Sequence, residues 1–172
     1  MAEDKPPVIT LEHFAAFGSI INIFAALGML VDGIIISMIG GNKELTGILL
    51  TSVAVKNQDK CAFVCAMFDA SSLPDTFKKE GRQLINRVRN AAKLRNSIAH
   101  DTWIPGRRRN AIKPLSTTAR GKLRSRGSNP GEKDWLASEL LDESGKAVQL
   151  AQDLEAFMKK YGLHPYPAHG SK

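Results

Sequence analysis

The 172-residue chain predicts an all-α fold, an up-and-down bundle of four to five helices with a small basic β-ribbon inserted before the last helix. Apolar residues make up 43% of the chain and aromatic residues only 6%. That is enough apolar surface for one core, but it is poor in the residues that favour sheets. Long segments repeat apolar residues at spacings of three and four. Helix breakers are concentrated after Asp101, at Pro105, Gly106, Pro114, Gly121 and Gly127. The expected organisation is a polar N-terminal tail over 1–9, a single helical domain over 10–162 with the ribbon at 102–131, and a C-terminal tail over 163–172.

The first helix is expected from Thr10, a capping residue, to the Gly40-Gly41 stop. His13 stands where a capping box needs Glu or Gln, so no box is expected. From Phe14 to Val31 the helix carries no charge, a length that suits either a membrane span or a helix buried on nearly all sides in a bundle or dimer. Ile20, Ile21, Phe24, Leu27 and Val31 form a bulky face; Ala15, Ser19, Asn22, Ala26, Gly33 and Ser37 form a smaller one that suits close helix packing. Asp32 would be costly at bilayer depth, so the bundle is favoured and a membrane is not an expected partner.

Shorter helices are expected over Leu45–Val55 and Gln58–Asp69. Ser72, Pro74 and Asp75 read as an N-cap, a first-turn proline and a capping-box acid opening a helix to about Ala99. That helix is about 40 Å long, a match to the first. TWI, AIKPL and RGKLRSR read as short strands. The last helix runs from about Asp134 to Tyr161 on the stripe Ala147, Leu150, Ala151, Leu154, Phe157, Met158 and Tyr161, stopped by Gly162. There is no internal repeat.

The net charge of +7 sits in one place. Arg107, Arg108, Arg109, Lys113, Arg120, Lys122, Arg124 and Arg126 lie between Thr102 and Gly131 without an acid among them. The remainder carries 16 basic and 17 acidic residues. A concentrated basic segment on a neutral body points to a polyanion, bound through its backbone because only Trp103 and Trp135 are at hand for stacking. The alternative is a solvated loop.

Chemistry centres on LRNSIAHDTW, Leu94 to Trp103. Arg95 falls on a stripe with Leu84, Val88, Ala91 and Ile98, where a guanidinium needs a carboxylate or an oxygen-rich ligand. Asn96 adds a donor and an acceptor, and His100, at the helix end, can exchange a proton near neutrality. A phosphate clamp beside an acid/base group suits metal-free phosphodiester cleavage by a 2′-hydroxyl. The structural alternative has Arg95 paired with Asp32 and His100 capping its own helix.

Arg95-Asn96-x-x-x-His100 resembles the R-x4-6-H signature of the HEPN superfamily, and RNSIAHDTW is similar to the RNxxAHGxW form of many prokaryotic members. The order of the surrounding segments agrees from Phe14 to Tyr161: FAALGMLVDGII, a GILL segment, a Lys60-containing helix, a basic ribbon and a Trp135-led final helix. The resemblance implies a helical homodimer with a composite ribonuclease site that needs no metal or other cofactor. Arg95 would bind the scissile phosphate, His100 would act as general base or acid, and Asn96 would orient one of them. Asp32 would match a first-helix acid that relatives carry as Glu, and Asp101 stands where Gly is frequent. RNA is the implied substrate, an antitoxin or regulatory protein the implied partner, and phage defence or toxicity the implied setting. Some members of the superfamily are non-catalytic binding modules, which is the alternative function.

Other constellations are weaker. His100-Asp101 lacks the further ligands of a metal-dependent phosphohydrolase, since His13, His164 and His169 are the only other histidines. Cys61 and Cys65 share a helix face with Val64 and Phe68 and read as core. No phosphate-binding glycine loop is present. Met1 to Pro7, with Glu3 and Asp4 before Lys5, does not resemble a secretory leader, and two cysteines do not make a disulfide scaffold; the expected compartment is the cytoplasm.

Overall fold

The computed structural model describes residues 9–40, 57–117, 123–124 and 133–163. Among these it holds four helices, α1 (Leu11–Met38), α2 (Asn57–Ala70), α3 (Asp75–His100) and α4 (Ala137–Lys160). Between α3 and α4 lie strands β1 (Thr102–Pro105), β2 (Ile112–Thr117) and β3 (Leu123–Arg124). They form an antiparallel sheet in the order β1-β2-β3, with Trp103 opposite Pro114 and Ile104 opposite Lys113. The all-α bundle with a small β insertion is therefore the observed architecture. The helix expected over Leu45–Val55 lies outside the described residues.

Glycine at positive φ ends two helices. Gly162 (φ 66°) lets Leu163 N–H reach Met158 O at 2.8 Å and Gly162 N–H reach Lys159 O at 3.3 Å. Both bonds satisfy carbonyls that the end of α4 would otherwise leave open. Gly40 (φ 75°) makes the corresponding bond to Ser37 O at the end of α1. The start of α1 differs from expectation. The amide of Thr10 donates to His13 Nδ1 at 3.3 Å, and Thr10 Oγ1 lies 2.9 Å from the same nitrogen. A buried imidazole thus does what Glu or Gln does in a capping box. The start of α3 also differs: Lys78 N–H bonds Pro74 O, so Pro74 holds the cap position and Asp75 opens the helix.

The chain divides into two compact units. One comprises Met1–Ile23 and Lys93–Ala147, the other Phe24–Ala92 and Val148–Lys172. In the first, Ile20, Ile98, Trp103, Ala111, Ile112 and Leu140 are buried. Phe17 packs on Trp103 with ring centroids 4.9 Å apart, and Ser19 Oγ meets Ser144 Oγ at 2.7 Å, joining α1 to α4. Ile112 and Trp135 exchange backbone bonds of 2.9 and 2.7 Å, which tie the ribbon to the approach of α4. In the second unit, Phe68, Phe77, Phe157 and Tyr161 form an aromatic cluster; Phe77 stacks on Phe157 at 5.1 Å and meets the edge of Tyr161 at 4.8 Å. Gly81 of α3 sits against Phe68 and Phe157 because no larger residue leaves those rings room.

Helix α1 is long and apolar enough to cross a membrane by length and composition, and 39% of its most apolar window is buried. Its bulky face is buried at Ile20, Phe24, Leu27 and Val31 but not at Ile21, which is 41% exposed. The expected burial on nearly all sides is not reached within one chain. Leu11, Phe14 and Met29 are 84%, 57% and 75% exposed. Of the smaller face, Ala15, Ser19, Asn22 and Ala26 are exposed, Ser37 is half-buried and Gly33 is buried.

Candidate active site at the end of helix α3

Helix α3 carries Arg95, Asn96 and His100 in its last two turns. Its inward stripe is buried at Leu84, Val88 and Ile98, and Arg95 is half-buried on that side. Among the described residues Arg95 meets no acid. Its Nη1 donates to Asn96 Oδ1 at 3.2 Å, so the amide of one residue holds the guanidinium of the one before it. His100 is the last residue of the helix and is exposed. Residues four apart share a helix face, so Asn96 and His100 stand one above the other. Residues five apart are turned by roughly 140° about the axis, so Arg95 and His100 of one chain diverge. The last turn therefore presents two groups facing apart and an amide that touches one and neighbours the other.

Ser97 fixes the path of the chain beyond the helix. Its carbonyl accepts from Asp101 N–H at 2.9 Å and from Trp103 Nε1–H at 3.3 Å, while its hydroxyl donates to Asp101 Oδ2. The Asp101 carboxylate is thus folded back onto the helix that precedes it. The Ser-x-x-x-Asp spacing, one turn of helix, is the sequence signal for this contact.

Asp32 is paired with Lys60. Lys60 Nζ lies 2.8 Å from Oδ1 and donates a hydrogen bond to Oδ2 at 3.0 Å; Oδ1 is buried and, among the described residues, has no hydrogen-bond donor besides that ion pair. The acid assigned to the site by resemblance has a structural cation of its own, and the alternative partner for Arg95, Asp32, is occupied by Lys60.

The ribbon holds its cations in different ways. Asp134 Oδ2 accepts from the backbone amides of Arg107 and of Arg108, the latter at 3.1 Å. The Arg108 fork takes Glu139, Nη2 to Oε2 at 2.7 Å and Nη1 to Oε1 at 3.2 Å, and Nη2 also donates to Asp134 O. Arg108 is therefore a tie between the β1–β2 turn and the start of α4. Arg107 and Arg109 are exposed, and Lys113 is half-buried. Arg124 is in β3, and Arg120, Lys122 and Arg126 lie outside the described residues. Glu139 carries no signal in the charge pattern, yet it also accepts Leu136 N–H at 2.8 Å and caps α4. The Arg108 guanidinium and that amide hold its carboxyl down at about 2.

Among the described residues no group of three or more His, Cys, Asp or Glu side chains is placed to hold a metal. Burial pushes the Cys61 thiol up to about 11, with the neighbouring Cys65 adding to the rise and Arg89 opposing it. Burial also raises Cys65. Both are protonated near neutrality, as core thiols are. Cys61 lines a small apolar cavity with Phe24, Leu27, Val31, Val88 and Ala92.

Comparison with protein-family models, curated proteins and solved structures returns no match. The functional reading therefore rests on α3 and its surroundings.

Proposed function

We propose that this chain is a metal-independent endoribonuclease of HEPN type that works as a cytoplasmic homodimer, in the toxin or defence setting the resemblance implies. The observation that carries the reading is the Arg95–Asn96 contact one turn before the exposed His100. Arg95 takes a non-bridging oxygen pair of the scissile phosphate. His100 removes the proton of the 2′-hydroxyl or returns one to the leaving 5′-oxygen. The O2′–P bond forms as the P–O5′ bond breaks, leaving a 2′,3′-cyclic phosphate and a 5′-hydroxyl. One chain turns Arg95 and His100 apart, so a second copy supplies the complementary pair. The exposed seam of α1 at Leu11, Phe14, Ile21 and Met29 is the apolar surface available to that copy.

The test is RNA cleavage in excess chelator by protein verified as a dimer. His100→Ala should lower the rate by about 10²–10⁴. Arg95→Ala should do the same, and Arg95→Lys should rescue little because it keeps the charge but loses the fork. Cleavage that needs a metal, or that persists in His100→Ala, overturns the mechanism. The divergence of Arg95 and His100 within one chain favours a second reading, a binding module of the same fold. Tight RNA binding by a dimer that cleaves no RNA would select it.

A further inference from the structure

Helix α3 has an outer face as regular as its inner one. Lys79, Arg82, Asn86, Arg89, Lys93 and Asn96 follow at alternating spacings of three and four, and the row ends on His100. All are exposed except Asn86, which is half-buried. At 1.5 Å per residue the row is about 30 Å long. It contains no acid. Of the two acids of α3, Asp75 opens the helix, and Glu80 lies off the row, bonded to Lys160 at 2.7 Å and to Tyr161 at 3.0 Å. Arg82 pairs with Asp69. Lys79, Arg89 and Lys93 make no ion pair among the described residues, although Arg89 lies near enough to Cys61 and Cys65 to act on both.

A row of cations, three of them without an ion pair among the described residues, with amides set between them matches a chain of phosphates joined by sugars. Lys and Arg neutralise phosphates, and Asn donates to and accepts from sugar hydroxyls. A membrane surface would need apolar side chains beside the cations, but the apolar side of α3, including Leu84, Ile85 and Val88, is already buried.

We infer that the outer face of α3 is a track for the sugar-phosphate backbone of single-stranded RNA, leading the strand to His100. This rests on the ribonuclease reading and moves the main contact surface from the basic ribbon, where Arg108 is engaged by Glu139, to the helix itself. The track uses Lys79, Arg89 and Lys93 as phosphate contacts and Asn86 as a sugar contact, and it ends where Asn96 holds Arg95.

The experiment measures binding of a labelled 20-nucleotide oligouridylate to the full chain carrying His100→Ala, across a salt series, with and without Lys79→Ala, Arg89→Ala and Lys93→Ala together. The three side chains are exposed and alanine favours helix, so an unchanged thermal midpoint is the folding control. The expected result is an affinity loss of at least about tenfold and a salt slope lower by about 2, from roughly 0.7 per lost single-strand contact. Unchanged affinity and slope overturn the track. So does a loss confined to vesicles of anionic phospholipid with oligouridylate binding intact. If the triple variant loses oligouridylate and the unmodified protein cleaves no RNA, the track stands and the ribonuclease reading falls. Cleavage in chelator with unaltered binding by the triple variant gives the reverse.

Discussion

The Arg108 guanidinium grips the Glu139 carboxylate through both nitrogens, 2.7 and 3.2 Å, while the same carboxylate accepts Leu136 N–H at 2.8 Å. One acid thus closes the β1–β2 turn and caps α4. Its carboxyl is held at about 2 against an ordinary 4.5, so its folded value is depressed. The stability it contributes is full above pH 4.5 and is lost as pH falls from 4.5 through 2. Glu139→Gln keeps an oxygen for the cap and discards the charge. Urea midpoints should fall for this variant at pH 7 and converge with wild type near pH 2. A constant gap over that window would contradict the pairing. Arg108→Ala should lower the midpoint at pH 7 as well.

Gly81 and Gly145 make a matched pair of helix glycines. A Cβ on Gly81 would stand 2.6 Å from Phe68 and 2.9 Å from Phe157, both fully buried rings; one on Gly145 meets nothing within 4 Å. Alanine in place of glycine gains up to about 1 kcal/mol of helix propensity at either site. Overpacking costs about 1–3 kcal/mol and applies to Gly81 alone. Gly81→Ala should therefore lower the thermal midpoint by a few degrees, and Gly145→Ala should raise it by about 2–4 °C. Calorimetry of the two variants separates the effects.

Asp32 is 29% and Lys60 14% exposed at the side chain, and the pair has little water to replace a lost partner. Lys60→Met should cost about 1–3 kcal/mol by leaving a part-buried carboxylate without its donor. Adding Asp32→Leu should restore most of that loss, because removing both charges removes the desolvation cost as well. A double-mutant cycle in urea measures the coupling. The same variants weigh the role implied for Asp32 by resemblance. If it acts on RNA, the doubly apolar protein folds and loses cleavage; if its task is only to pair Lys60, cleavage survives.

What sequence pattern reveals here is what is local. The apolar stripe of α4, the turn glycine at Gly162 and the threonine at the start of α1 all act within a few residues. The stripe is buried from Ala147 to Met158 with Tyr161 half-buried past the helix end, Gly162 has its positive φ, and Thr10 O accepts the first helical bond, from Phe14 N–H. Helix α1 is legible as a helix but not as to its inward side. It is apolar nearly all round, so periodicity alone places Ile21 with Ile20 and Phe24, although it is exposed. The Thr10–His13 contact escapes because a histidine rarely fills that position. Glu139 escapes because its partner is 31 residues away. At the candidate site, Arg95, Asn96 and His100 are legible from their spacing. The turn of Arg95 toward Asn96, and the three bonds that Ser97 makes, depend on rotamers and on the chain path after the helix.

Asn96 decides how Arg95 is presented. Its Oδ1 accepts from Arg95 Nη1 at 3.2 Å, and its side chain is exposed, so removing it should leave the fold intact. In Asn96→Ala the guanidinium loses the acceptor that fixes its fork. A displacement of about 1 Å at a phosphate clamp costs on the order of 10² in rate, so kcat should fall by about that factor while KM changes little. Asn96→Asp provides the opposite control. It keeps an acceptor at nearly the same position but makes it a carboxylate, which binds the guanidinium in a charge-assisted pair and competes with phosphate. That variant should raise KM as well as lower kcat. Adding salt should not restore it, because screening weakens the RNA contact as much as the competing pair. If both variants cleave RNA at the wild-type rate, Asn96 does not position Arg95 for catalysis, and the contact between them is a feature of the resting helix alone.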